Sequence, residues 1–264
     1  TIKKDLYRRD FSINAMAIKL NQEDFGILID FFGSRKDLSK GIIRALHPLS
    51  FIEDPTRILR AVRFEQRFGF EIEVRTAELL KQCAAEGYLD RVTGQRLRDE
   101  LSKAIEEPLP LKALRRLASL GVMEKLFPKT EFDRETDIKL QRYFLRRERN
   151  ALLIGEDRMF YTLLMIILRK SDSKSVEWCI ARYGLPKNYL ERLNDAKTTA
   201  GIIVNEKPET PSQFYRSLKT NKPEILNFVN SYLDEQEDLL FLAYLKRLND
   251  TKLSINGNIL KARY

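Results

Sequence analysis

Hydrophobic and polar positions change rhythm once along this chain, near Pro48. Before it, "AMAIKL" and "GILIDFF" are short apolar segments with partial alternation, joined by the polar "NQEDF", which is the pattern of a β-hairpin. "IIRAL", after "GSRKDLSKG", predicts a third short strand. Such pieces predict the edge of a small sheet whose other strands are missing from the sequence. After Pro48 nearly every signal is helical. In "DPTRILRAVRFEQRFG" Asp54 is the expected N-cap, with Pro55 at the first helical position and Gly69 at the stop. "VRTAELLKQCAAEG" closes on Gly87, Thr93 is placed to cap "GQRLRDELSKAIEE", and Pro108 and Pro110 mark a break. "PLKALRRLASLG", "RETDIKLQRYFLRRERN", the largely buried "EDRMFYTLLMIILRKS", "SVEWCIARYGLP" and "NYLERLNDAKTTAG" continue the series. A last group runs from "PSQFYRSLKTN" to "DEQEDLLFLAYLKRLND". No fixed-period repeat is present, which argues against a solenoid.

Placed at about 100° per residue, the helix after Asp54 has an apolar arc of Ile58, Leu59, Ala61, Val62, Phe64 and Phe68. Arg60, Arg63 and Arg67 fall on the opposite stripe, while Arg57 lies at the apolar side, three residues after Asp54. An aspartate and an arginine sharing a face combine an acceptor with forked donors, the equipment for reading a nucleobase edge. The same pattern also suits a capping aspartate in an intrahelical salt bridge. "RRD" with Asn14 allows a similar double reading. Arg8 and Arg9 suit a triphosphate and Asp10 and Asn14 a loop or a ribose hydroxyl, or the group forms an interdomain salt bridge. In "LIDFFGSRKDL", Asp37 is expected to cap or order a helix and Asp30 to fix neighbouring backbone amides. Two acids seven apart do not make a two-metal site.

Composition narrows the chemistry. The 264 residues carry a formal charge of +9, which favours an anionic partner, nucleic acid being the commonest. One histidine, His47, removes schemes that need several imidazoles, so any metal chemistry must use carboxylates. Cys83 and Cys179 have no CxxC spacing and are expected as reduced core residues. No apolar run reaches the roughly 18–20 residues of a membrane span, and with no signal peptide the expected compartment is the cytoplasm.

"RRDFSINAMA", "IDFFGSRKDL" and "IEDPTRILRAVRFEQRFGF", in this order and spacing, resemble segments of the class II tRNA nucleotidyltransferases (CCA-adding enzymes) and the related bacterial poly(A) polymerases. The resemblance is strong from Arg8 to about Phe70. It continues through "RVTGQRLRDELSKAI", where Arg96, Glu100 and Leu101 match, and is general beyond Pro108. It implies a mostly α chain: part of an α/β nucleotidyltransferase head (1–48), a nucleotide-selecting helical neck (49–107), a helical body (108–200) and a helical tail (201–264). Family heads open on a Gly-Ser turn and an Asp-x-Asp pair that holds two magnesium ions. Neither is in this sequence, so a cut head is expected, with no catalytic residue and no metal ligand in this chain and no activity for the chain alone. "LSINGNILKARY" resembles the family's late Gly-Asp-Asp-Leu region without that acidic pair.

The implied parent adds C, A or both to RNA 3′ ends, tRNA above all, from CTP and ATP with magnesium. By the resemblance Asp54 and Arg57 read the base, and Arg8, Arg9, Asp10, Asn14 and Arg60 hold the phosphate and sugar or the surrounding pocket. Arg63, Arg67, Arg96, Arg115, Arg116, Arg146 and Arg147 form the RNA-facing set. The competing expectations are a non-catalytic, basic helical RNA-binding module and a purely structural packing fragment.

Overall fold

The computed structural model describes residues 1–155, 158–218 and 222–250. It opens with α1 (Ile2–Tyr7), the strands β1 (Met16–Ile18) and β2 (Leu28–Asp30), α2 (Ser34–Lys40) and β3 (Ile42–Ile43). There follow α3 (Ser50–Glu53), α4 (Arg57–Phe68), β4 (Glu71–Ile72), α5 (Val74–Ala85), α6 (Gly94–Ile105), α7 (Pro110–Ser119) and α8 (Met123–Leu126). The remainder is helical: α9 (Arg134–Ile154), α10 (Met159–Ile167), α11 (Ser173–Tyr183), α12 (Tyr189–Glu206), α13 (Pro211–Ser217), α14 (Pro223–Asn230) and α15 (Glu235–Asp250). "LSINGNILKARY" lies outside the described residues. Among those described, no helix is long and apolar enough to cross a membrane.

Two compact units result, one made of Thr1–Asp137 with Lys170–Lys187, the other of Ile138–Arg169 and the chain from Asn188 onward. In the first, β1 and β2 form the expected hairpin, pairing Met16 with Asp30 and Ile18 with Leu28. β3 does not extend that hairpin. It pairs in parallel with β4, Ile42 opposite Glu71 and Ile43 opposite Ile72. Two-residue strands carry no readable alternation, which is why β4 escapes a pattern search.

The core of this unit forms around α4. Ile58, Leu59, Ala61 and Val62 are almost fully buried, and the helix packs against α6 and α7. Gly69 ends α4 with φ +64°, a left-handed residue that costs glycine little. Gly94 has a different reason to be glycine: a Cβ there would lie 1.4 Å from the carbonyl oxygen of Arg182, so α6 begins hard against the end of α11. Arg98 donates to the Tyr183 carbonyl at 2.9 Å, and the Tyr183 hydroxyl donates to the Leu126 carbonyl at 2.6 Å.

In the second unit α10 is apolar apart from Thr162 and the Tyr161 hydroxyl and is buried from Thr162 to Ile167, and it packs on α14, which also packs on α12. Both cysteines are free and buried. Burial pushes the Cys83 thiol up to about 11 and the Cys179 thiol up to about 12.

Candidate functional site

α4 starts two residues later than its sequence suggests, because Asp54 caps a turn and not the helix. Its Oδ1 accepts from the Thr56 N–H at 3.1 Å and the Thr56 hydroxyl at 2.6 Å, and Thr56 occupies the N-cap position. This short Asx-type turn leaves the rest of the carboxylate pointing away from the helix. Arg96 on α6 takes it up, with Nη2 at 3.1 Å from both oxygens. No intrahelical Asp54–Arg57 bridge forms. Arg57 donates from Nη1 to the Ser50 hydroxyl at 2.6 Å and from Nη2 to the Arg8 carbonyl at 2.8 Å. Three of its five N–H donors stay uncommitted by these bonds.

Asp10 is the buried acid of the group. Its Oδ1 accepts from the Phe11 N–H and the Asn14 amide, both at 2.9 Å, and its Oδ2 from Arg60 Nε at 2.9 Å and Nη2 at 2.5 Å. Burial pushes the Asp10 carboxyl up, but the Asn14 and Arg60 hydrogen bonds, the Arg60 charge and the Phe11 N–H outweigh it and hold it below the usual carboxylate value. Arg60 also stands 3.8 Å from Glu100 on α6.

Together Arg9, Asp10, Asn14, Asp54, Arg57 and Arg60 line one open cavity of about 370 Å³. The seventh residue expected with them, Arg8, contributes its carbonyl to Arg57 while its exposed guanidinium pairs with Asp5. Arg9 is 53% exposed and reaches Asp5 only at 3.4 Å. The cavity thus has a fixed acid–base frame, Asp10 with Arg60 and Asp54 with Arg96, and a less committed cationic wall of Arg9 and Arg57.

The RNA-facing set is rearranged. Arg63, expected on an outer stripe, is buried: it lies over the Phe64 ring at 4.6 Å and reaches Glu107 at 3.3 Å. Packing of α7 against α4 widens the covered arc beyond what one helix shows. Arg146 is also buried, donating to the Asn230 and Leu233 carbonyls at 2.8 and 3.0 Å, so it is a structural group and not a surface cation. Arg96 belongs with Asp54. Arg115 sits in a two-point pair with Asp137 at 2.6 and 2.7 Å, and Arg116 in one with Glu65 at 2.8 and 3.1 Å. Arg67 is exposed and 3.5 Å from Glu107, and Arg147 is half-buried.

Asp30 fixes backbone as its position suggests, accepting from the N–H groups of Phe32, Ser34 and Arg35 at 3.2, 2.8 and 3.0 Å. Asp37 does not cap α2. It is buried mid-helix and holds Ser12 at 2.7 Å and Arg44 at 2.9 Å.

Two family models match: the "Poly A polymerase head domain" over residues 1–44 and the "Probable RNA and SrmB- binding site of polymerase A" over residues 69–133. A Geobacter sulfurreducens A-adding tRNA nucleotidyltransferase is 33% identical over 99% of this chain, which spans 31% of that protein. The Thermotoga maritima CCA-adding enzyme, solved in complex with tRNA, is 46% identical with a TM-score of 0.93, covering 99% of this chain and 65% of its own. CCA-adding enzyme complexes with ATP and with CTP are each 45% identical, with TM-scores of 0.92 and 0.93, covering 99% and 100% of this chain and 63% and 64% of theirs. The chain belongs to the class II CCA-adding enzyme and poly(A) polymerase family.

Proposed function

We propose that this chain is the nucleotide-selecting and RNA-holding part of a template-independent transferase that adds C, A or both to the 3′ end of RNA, tRNA in the first instance, in the cytoplasm. The observation that carries the reading is the gathering of six polar residues from the "RRDF…N" and "EDPTRILR" segments around one cavity. Cytosine and adenine share an exocyclic amino donor, whereas guanine and thymine or uracil present a carbonyl acceptor at the corresponding place. Asp54 Oδ2 accepts only from Arg96 and keeps a lone pair for that amino group. The uncommitted donors of Arg57 suit the ring nitrogen beside it. A guanine or uracil carbonyl would face the Asp54 carboxylate and be repelled. Arg9, with Arg8 beside it, supplies positive charge for the triphosphate. The fourfold division into head (1–48), neck (49–107), body (108–200) and tail (201–264) belongs to this proposal.

Magnesium does not fit the acids here. The Asp10 and Asp54 oxygens are already engaged by Asn14 and Arg60, and by Thr56 and Arg96. Among the described residues no group of three or more His, Cys, Asp and Glu is placed to hold a metal. The proposal assigns metal binding and catalysis to residues outside these 264, and none of its steps runs through the ion. Calorimetric titration with CTP, ATP, GTP and UTP tests it. Binding of CTP or ATP in preference to GTP and UTP, lost in Asp54→Ala and Arg57→Ala, is expected, together with no tRNA extension by the chain alone. RNA binding without any nucleotide binding would replace it with the non-catalytic RNA-binding module.

A further inference from the structure

Apart from the cavity of Arg9 and Asp54, the first unit carries a second concavity of about 180 Å³, lined by Pro128, Lys129, Lys174, Ser175 and Trp178. Trp178 is the chain's one tryptophan. It stands on α11 with 39% of its surface exposed. Its ring meets Tyr183 edge-on, with centroids 6.4 Å apart. Tyr183 is itself anchored through its hydroxyl to the Leu126 carbonyl, so the indole is braced along an edge by a fixed neighbour. Lys129 and Lys174 are both exposed, and among the described residues neither ammonium is within 4 Å of a carboxylate, although both charges act on Asp172. Lys129 holds φ +60° in the turn after α8, a left-handed conformation that non-glycine residues adopt sparingly. Asp172 caps α11, its Oδ1 accepting from the Ser175 N–H at 2.7 Å, and the charges of Lys129 and Lys174 help hold its carboxyl down.

We propose that Trp178, Lys129 and Lys174 form a subsite for single-stranded RNA, the indole stacking on one base and the two ammoniums holding neighbouring phosphates. A half-exposed indole sharing one concavity with two cations is the composition of a stacking platform on an electrostatic track. The RNA-binding region matched by family ends at residue 133, so it takes in Lys129 and leaves Lys174 and Trp178 unassigned. The inference rests on RNA being the chain's partner and not on the nucleotide cavity.

Because Trp178 is the sole indole, its emission reports this subsite directly. The probe is a labelled tRNA acceptor stem with a single-stranded 3′ end, followed at once by its anisotropy and by tryptophan fluorescence. Quenching in step with the anisotropy rise is expected. Trp178→Ala should weaken binding about tenfold and Trp178→Phe should restore most of it, since a phenyl ring still stacks. Lys129→Ala with Lys174→Ala should reduce the slope of log affinity against log salt by about 1.4, as for two single-strand phosphates. An anisotropy rise with unchanged Trp178 emission and an unchanged salt slope overturns the subsite while leaving RNA binding in place. No anisotropy rise at all overturns both, with nucleotide titration still reporting the first cavity independently. Emission that shifts with protein concentration and not with RNA assigns the corner to a protein contact and overturns the proposal.

Discussion

Two cavities of this protein carry the same charged inventory, three arginines and two acids, although the second is also lined by Ile138, Leu145 and Leu239. The one in the first unit is lined by Arg9, Arg57 and Arg60 with Asp10 and Asp54. The one in the second unit, about 540 Å³, is lined by Arg142, Arg146 and Arg149 with Glu235 and Asp238. In the second Arg146 and Arg149 are committed, whereas Arg142, bonded through Nη1 alone, leaves three of its five N–H donors outside these bonds. Arg142 donates to the Tyr232 carbonyl at 2.9 Å, and Arg146 to the carbonyls of Asn230, Leu233 and Asp234. Arg149 grips Asp238 with bonds of 2.9 and 2.8 Å. Arg142 and Arg146 add donors to the carbonyls at the end of α14 and in its turn into α15, where those of Asn230 and Asp234 also accept a backbone N–H. In the first cavity Arg60 is committed to Asp10 in the same way, but Arg57 and Arg9 keep donors in reserve. What separates Arg57 from the clamps Arg146 and Arg149 is the number of donors left over, not the number of arginines around it.

The largest effect that would break this contrast is in the second unit. Arg146→Ala should destabilise that unit by about 3–5 kcal/mol in urea denaturation, because it leaves several carbonyls and the buried Asp238 short of a partner. Unchanged stability with a loss of RNA affinity would return Arg146 to the RNA-facing set. In the first unit, Asp54→Ala should cost about 1–3 kcal/mol of discrimination between CTP or ATP and GTP or UTP, read by calorimetry. Its effect on RNA affinity should be small, and equal nucleotide preferences in wild type and variant would count against a base-reading role.

Acid sharpens the comparison further. Burial pushes the Asp238 carboxyl up, but the Arg149 and Asn230 hydrogen bonds and the Arg146 and Arg149 charges hold it down, as their counterparts do for Asp10. A depressed carboxylate contributes stability that is present above its unfolded value of about 4 and lost as pH falls through the folded value. Asp238→Asn and Asp10→Asn should each flatten the acid limb of stability below about pH 4, with no added pH dependence at neutrality. The smallest effect is at Arg96, whose pair with Asp54 is half in water. Arg96→Ala should change stability by less than about 1 kcal/mol and lower nucleotide discrimination only a few-fold, as expected for a group that orients Asp54 without touching the base.

Much of the fold was readable because it is local. The α4 stripe of Ile58, Leu59, Ala61 and Val62, the stop at Gly69, and the hairpin of β1 and β2 depend on neighbours within one element. The candidate cavity was readable as a list of residues, since Arg9, Asp10, Asn14, Asp54, Arg57 and Arg60 carry the family's order and spacing. Their partners were not. Nothing in the spacing joins Asp54 to Arg96, 42 residues on, or Arg60 to Asp10, 50 residues back. Ser50 as the acceptor for Arg57 was missed for the same reason.

By itself, then, the sequence determined that helices follow one another after Pro48, the apolar stripe of α4, that the chain is basic, and which residue types stand together along it, while the start of α4 and the burial of Arg63 were left to packing. Propensity, periodicity and capping act over a few residues and need no distant partner. Tertiary structure alone decided which arginines are spent. Arg63 and Arg146 disappear under neighbouring elements and Arg115 and Arg116 are taken by Asp137 and Glu65, while Arg57 keeps donors facing a cavity. A guanidinium's role follows from what the fold brings within about 3 Å of it, and that distance is set by packing between elements far apart in the chain.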